Sequence, residues 1–435
     1  MTTENNINHK MIWHLAGPMI LANISIPILG MVDTAVIGHL DSAHYLGGVA
    51  IASLIFNFLF WGFGFLRMAT TGLTAQAHGD NDKKLSLKVL QHSLMLAMAI
   101  ALGILLLQSP ISSLAFYLID SSKQITNAAI IYFDIRIWST PAILINYVIL
   151  GWLIGKGATK DALYLVLSVT ISNMILDLIF VNSFGMNVDG VALASVIAEY
   201  IGLTVGLILL IKHGVDRQLF IQKHTAKSQH QNWLKLHGNI FIRSLCLIFS
   251  IAFFTAQGAK QGELILAANA VLVNFIVLMA FVLDGFANAI EVIAGKAIGS
   301  KNKHQLRQGL ILTGIWTFSL ACFFSVSYLL FGSELINILT TIPDVVSLAN
   351  DYLIWLIIMP VIAVWSFLFD GLFIGATRSV EMRDTMLFST FICYLPAWYF
   401  FQDYNNHGLW LALLIFFAAR GLSQAFFLPK IVTFK

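Results

Sequence analysis

Twelve apolar stretches, each about as long as a helix must be to cross a bilayer, leave this chain few folds to adopt. A hydrocarbon core of ~30 Å takes about 20 residues of helix. Runs of that kind fall at 12–39, 46–76, 87–108, 126–154, 162–183, 190–212, 239–259, 264–297, 309–331, 348–375, 384–402 and 407–429. They are continuous and rich in Leu, Ile, Ala and Phe, without the residue-by-residue alternation of a membrane β-barrel. Of the 435 residues 58% are hydrophobic and 11% charged, and the mean hydropathy is +0.82. One core cannot hide so much apolar surface, so lipid must be the solvent for much of it. The expected fold class is an all-α integral membrane protein with twelve transmembrane helices. The first run follows a polar segment, Met1–Lys10, and continues through Pro18, Pro27 and Asp33. It is too long for the apolar part of a cleaved signal peptide and reads as the first span.

The placement of Lys and Arg predicts an orientation. If the amino terminus is cytoplasmic, 21 of the 25 basic residues fall on that side, from Lys10 through Lys83, Lys84 and Lys88 to Arg420, Lys430 and Lys435. Lys123 and Lys260 fall outside, and Arg67 and Arg136 lie within spans. The bias puts both termini inside, and an error of one span would reverse the sign of every later loop. The formal charge of +3 does not point to nucleic acid, because the basic residues form no stripe beside stacking aromatics. Cys246, Cys322 and Cys393 are far apart in apolar runs, so neither a disulfide framework nor a zinc site is expected. The longest polar connection, 213–238, carries His213, His224, His230 and His237 at separations of 11, 6 and 7 residues. Those spacings match no metal-ligand motif, and the stretch reads as a solvated linker. There is no H-E-x-x-H and no compelling His–carboxylate cluster, so neither an enzyme nor a cofactor is expected.

Sliding the sequence on itself by 220 residues aligns Leu73–Gly79 with Ile293–Gly299 and Gly151–Gly155 with Gly371–Gly375. Pro141 meets Pro360 within one position of the same offset. Two halves of six spans each share one orientation, a parallel repeat typical of transporters whose substrate path runs between rocking halves. The expected organisation is an amino-terminal six-helix bundle over 1–212, a cytoplasmic linker over 213–238 and a carboxy-terminal six-helix bundle over 239–435, facing each other across a cavity.

An ionisable group at the bilayer centre costs at least ~2.5 kcal/mol on insertion scales and is a functional candidate by default. Seven acids lie within spans: Asp33, Asp134, Asp177, Glu199, Asp284, Glu291 and Asp370. Asp33 and Asp177 are each six residues below the outer ends of spans 1 and 5, ~9 Å beneath the outer rim. Asn173 is one turn from Asp177 on the same helix face. Two carboxylates and an amide at one depth can share a proton. The same oxygens can hold sodium, and the residues alone do not decide between them. The plainer reading is that the acids only join helices. Pro18 and Pro27 each remove a helical donor, and a kink there would be a hinge beside Asp33, although proline is also simply common in membrane helices. Asp284 and Glu291 are seven residues apart on span 8. Arg67 is at a depth comparable to Glu291 and Asp370, so an ion pair there would close the inner side or merely neutralise buried charge. Asp134 and Arg136 do not share a helix face, and Glu199 has no evident partner. Trp61, Phe63, Phe65, Phe281 and Phe286 can line a cavity for flat or cationic compounds or pack between helices.

Three segments carry a family likeness: Gly30-Met-Val-Asp-Thr-Ala-Val-Ile-Gly-His-Leu40, Leu66-Arg-Met-Ala-Thr-Thr-Gly-Leu-Thr-Ala-Gln-Ala-His-Gly79 and Gly371-Leu-Phe-Ile-Gly-Ala-Thr-Arg378. With them the chain resembles the multidrug and toxic compound extrusion family in its DNA-damage-inducible protein F branch, over nearly its whole length. The resemblance implies export of small organic compounds, cationic or amphipathic, in exchange for an inward cation, by a monomer in the bacterial cytoplasmic membrane. The family's first-helix aspartate matches Asp33, its fifth-helix asparagine and aspartate match Asn173 and Asp177, and a sixth-helix hydroxyl falls near Ser195. Its first-helix proline, associated in that branch with bending when the aspartate is protonated, matches Pro18. The sodium-coupled branch carries an acid in span 7 that works with one in span 10. Here span 7 has none while Asp370 remains, which favours protons over sodium. Lipid-linked sugar flippases of the wider superfamily are the nearest alternative, but they tend to have fourteen spans and basic cavities. A passive channel suits buried acids at one depth less well.

Overall fold

The computed structural model describes residues 7–38, 42–119, 121–215 and 227–433, and His39, Arg217, Lys223, His224 and Lys435 of the sequence reading lie outside them. Among the described residues the α-helices are α1 (His9–Gly38), α2 (Ala43–Gly62), α3 (Phe65–Gly79), α4 (Lys83–Leu106), α5 (Gln108–Leu118), α6 (Lys123–Arg136), α7 (Thr140–Lys156), α8 (Thr159–Leu178) and α9 (Val188–Lys212). The second half supplies α10 (Lys227–Lys260), α11 (Glu263–Gly299), α12 (Lys303–Leu339), α13 (Pro343–Asp351), α14 (Leu353–Gly375), α15 (Ser379–Leu387), α16 (Leu395–Phe401) and α17 (Asn405–Val432).

Among the described residues eleven helical runs are long and apolar enough to cross a membrane. Ser379–Val432, at 54 residues, is more than twice the length one crossing needs. It reverses at Gln402–Tyr404, where Asn405 takes a positive φ of 53° and α16 packs back along α17. This hairpin is two crossings, and the total is twelve. Span 2 is α2 and α3 joined by a turn at Phe63 and Gly64, and span 4 is α6 and α7 joined by a tight 3-10 turn at Ile137–Ser139.

Over its described residues, 213–215 and 227–238, the stretch 213–238 departs from a solvated linker. It is helical from Lys227, and Trp233, Leu236, His237 and Ile240 are buried. Their spacing of three, four and seven residues is one helix face, a short stripe easily lost among polar neighbours. His213 Nε2 lies 2.8 Å from Asp161 Oδ2, and the His92 ring lies near those of His230 and Trp233, with centroids at 4.4 and 5.0 Å.

Packing divides the chain into two compact units, one of Met1–Ile20, Ala75–Asn81 and Leu234–Lys435, the other of Leu21–Thr74 and Asp82–Trp233. In the first, α11 packs on α12 and α14, and α14 on α17; in the second, α2 packs on α6, α8 on α9 and α4 on α7. The division cuts α1 between Ile20 and Leu21, hence between Pro18 and Pro27.

The 220-residue offset reappears as matched close approaches. A Cβ on Gly151 would stand 2.4 Å from the Arg67 carbonyl oxygen, and one on Gly371 would stand 2.3 Å from that of Ala287. Within the first unit the approach is reciprocal: a Cβ on Gly79 would stand 2.2 Å from the Lys296 carbonyl oxygen, and one on Gly299 would stand 2.0 Å from that of Gln76. No side chain fits at such distances, so the repeated glycines are where backbones must touch. Gln76 Nε2 adds hydrogen bonds to the Gly375 carbonyl (2.9 Å) and Thr377 Oγ1 (3.1 Å).

Candidate ion-coupling site

Asp33 of α1, Asn173 and Asp177 of α8 and Ser195 of α9 all lie in the second unit. Asp177, Asn173 and Ser195 are buried and Asp33 half-buried. Asn173 Nδ2 donates to Ser195 Oγ at 3.3 Å, which ties α8 to α9 one turn from Asp177. One helical turn before Asn173, Thr170 Oγ1 lies 3.4 Å from Ser25 Oγ of α1.

The Asp33 and Asp177 carboxyl groups face each other as direct neighbours. Among the described residues no donor reaches Asp33 Oδ1 or either oxygen of Asp177. Ionised carboxylates only accept hydrogen bonds, so this contact is a hydrogen bond only when one of the two is protonated. Just beyond Asp177 the regular helix gives way to a π-helical turn over Ile179–Ser183, a local widening often found at functional sites.

Two further residues join this neighbourhood. Arg136 Nη1 donates to the Tyr132 hydroxyl at 3.1 Å, and its guanidinium lies 5.6 Å from the ring centroids of both Phe56 and Tyr132. It is within electrostatic range of Asp33, Asp177 and Glu199. Glu199, read as lacking an evident partner, accepts from Asn146 Nδ2 at 3.0 Å. Asp134 is exposed on another face of α6. The signal for Arg136 was present in the sequence as a lone arginine deep in an apolar run, but its partners on other helices were not.

In the first unit Asp370 is buried among groups the sequence reading did not bring to it. Its Oδ2 accepts from Arg420 Nη2 at 2.7 Å and also from Arg243 Nη2, and its Oδ1 accepts from Gln424 Nε2 at 2.6 Å. Arg243 and Arg420, counted above with the basic loop residues, are thus buried in α10 and α17. Asp284 of α11 is within electrostatic range of Arg420, and Glu291 is buried farther along the same helix. Arg67 lies in α3 of the other unit. Pro18 and Pro27 are both half-buried inside the continuous helix α1. Of the aromatics, Phe286 is buried against Trp13 at a centroid distance of 5.3 Å, while Trp61 is 50% exposed.

Comparison with known proteins agrees with this architecture. The MatE family model matches residues 18–205 and 240–399. The chain is 42% identical over 429 residues to DNA damage-inducible protein F of Escherichia coli K12, covering 96% of this chain and 91% of that one. Among solved structures it is similar to a MATE protein in a bent conformation, with a TM-score of 0.87, 20% identity and 97% and 95% of the two chains covered. It is also similar to an outward-facing multidrug resistance MATE family transporter of the MOP superfamily, with a TM-score of 0.85, 19% identity and the same coverage. With its twelve membrane-crossing helices and a family match over most of its length, the chain belongs to the MatE family of transporters.

Proposed function

We propose that this protein expels organic compounds across a bacterial cytoplasmic membrane by exchange with inward protons, and that Asp33 with Asp177 carries the proton. The carrying observation is the neighbouring pair of carboxyl groups in which no donor among the described residues reaches Asp33 Oδ1 or either Asp177 oxygen, an arrangement that a shared proton would satisfy. The first unit supports the same reading from the other side, because Asp370, the remaining acid of a sodium-type site, is occupied by two guanidinium groups. Multidrug export is supported by the fold relative described as a multidrug resistance transporter. The basic bias of one set of loops supports cytoplasmic termini.

In the proposed cycle substrate occupies an outward-open cavity, and a proton enters between Asp33 and Asp177. The outer half of α1 then moves about the Pro18–Pro27 segment, and substrate leaves to the outside. Return to the inward-open state releases the proton to the cytoplasm. The position of the unit boundary between the two prolines supports a hinge there, as does the bent conformation described for a fold relative. The membrane potential contributes about 2.3 kcal/mol per charge per 100 mV.

Liposomes loaded with a fluorescent organic cation test this. Under a pH gradient without sodium, wild type is expected to move the dye and Asp33→Asn to lose the response. Flux only under a sodium gradient would assign the same oxygens to sodium, and silence under both would turn attention to lipid-linked substrates.

A further inference from the structure

The end of α3 crosses the end of α11 in a way that follows the repeat residue by residue. Ala75 and Gly295 are 220 positions apart, and a Cβ on Gly295 would stand 2.4 Å from that of Ala75. Cβ atoms on Gly79 and Gly299 would meet the carbonyl oxygens of Lys296 and Gln76, which is one contact seen twice with the halves exchanged. The turns that follow match as well. Asn81 and Lys301 take left-handed φ angles of 56° and 55°, and Asp82 and Asn302 cap the next helices by accepting from the Leu85 and Gln305 amides at 2.8 and 3.0 Å. Contacts between residues that are each other's repeat counterparts lie on the axis relating the repeats. In a transporter built from parallel repeats the substrate path lies between the halves, along that axis. Ala75–Asn81 packs with the first unit, whereas the earlier part of α3 packs with the second.

One contact breaks the symmetry. Gln76 Nε2 donates to the Gly375 carbonyl at 2.9 Å and to Thr377 Oγ1 at 3.1 Å. The repeat puts Lys296 at the position of Gln76 and Gly157 at that of Thr377, so the two halves share neither side chain. Gly157 and Thr377 both hold a left-handed φ, 81° and 53°, which glycine adopts freely and a β-branched residue only under strain. What threonine adds there is the hydroxyl that Gln76 binds. A cavity of about 310 Å³ lined by Gln76, Thr377 and Arg378 opens beside the pair. Water can therefore take over both hydrogen bonds when they part, and breaking them costs only their modest net worth. We propose that this crossing is the gate at the cytoplasmic end of the transport path, and that Gln76, held by Gly375 and Thr377, is its latch. Lys83, Lys84, Lys301 and Lys303 flank the crossing, which puts it on the side the basic bias assigns to the cytoplasm. The glycines let the backbones close on each other, and the latch sets how much of the time they stay closed. This rests on the alternating-access part of the proposed function, whichever cation drives the exchange.

Asp80 and Ser300 are exposed beside the crossing, where the Asp80 amide nitrogen would lie 3.0 Å from a Cβ on Gly299. The test uses Asp80→Cys with Ser300→Cys in a background whose Cys246, Cys322 and Cys393 are replaced by alanine. Joined by a reducible bis-thiosulfonate crosslinker, the pair is expected to abolish dye exchange in liposomes and to restore it on reduction. Each single variant treated in the same way keeps exchanging. Carrying nitroxide spin labels, the same pair is expected to report a short and a longer distance. Gln76→Ala raises the ratio of long to short about tenfold, as the loss of two hydrogen bonds implies. Thr377→Gly, which relieves the backbone but lacks the hydroxyl, raises it as well, whereas Thr377→Ser keeps it near wild type; a merely structural role would instead favour glycine. Exchange undiminished by the crosslink, or one short distance in wild type and Gln76→Ala alike, would overturn the gate. Wild type that exchanges no dye under any gradient, with two label distances still shifted by Gln76→Ala, would support the gate and overturn the dye-export reading.

Discussion

Asp33 and Asp370 show how far an acid in an apolar run can be read from residue type alone. Both stood out in the sequence as charges where charge is costly, and Asp33 with Asn173 and Asp177 was legible as a group because equal depth and helical spacing predict proximity, whereas Ser195 came only from the family resemblance. Depth does not reveal counter-ions. Arg243 and Arg420 lie near span ends, where positive charge is ordinarily solvated, and only the packing of α10, α14 and α17 turns them onto Asp370. Removing one partner of a buried ion pair leaves an uncompensated charge and costs about 3–5 kcal/mol. Asp370→Ala, which strands two guanidinium groups, is therefore expected to lower the thermal melting temperature in detergent clearly. An unchanged melting temperature would mean that solvent already compensates the arginines. Glu199 teaches the same lesson: its residue type marked it, and its partner Asn146 lies 53 positions away.

At the scale of elements, length and hydropathy located most spans to within a few residues of their observed ends, since a bilayer imposes one length on all of them, but α10 begins at Lys227 rather than near 239 and α12 runs from Lys303 to Leu339, well beyond 309–331. What they did not show was how spans are interrupted. The turn at Phe63 and Gly64, the π-helical turn after Asp177 and the reversal at Asn405 are local backbone choices inside or between apolar runs. The helical start of α10 was hidden because its buried stripe is short and its other faces are polar. The repeat was legible as two weak motif matches, and the structure gives them a cause in glycines at backbone contacts. Gly299→Ala places a Cβ about 2.0 Å from the Gln76 carbonyl oxygen, which the backbone can accommodate only by shifting. A loss of about 1–3 kcal/mol is expected, read as earlier thermal unfolding than wild type. Gly103→Ala on α4, where a Cβ meets nothing within 4 Å, is expected to unfold no earlier than wild type. Equal behaviour of the two variants would remove the contact's significance.

For the whole molecule, the two units carry their buried charge differently. The first satisfies Asp370 with permanent cations and amide donors. In the second, no donor among the described residues reaches Asp33 Oδ1 or either oxygen of its neighbour Asp177. A permanent cation does not come and go during a cycle, whereas a proton does, which is the contrast on which the proposed coupling site rests. The most direct measurement is proton release on substrate binding, followed with a pH indicator in weakly buffered, sodium-free detergent solution of the purified protein. The account predicts that adding an organic cation releases protons from wild type and none from Asp33→Asn. Substrate binding to wild type without proton release, at a pH where exchange is active, would contradict it.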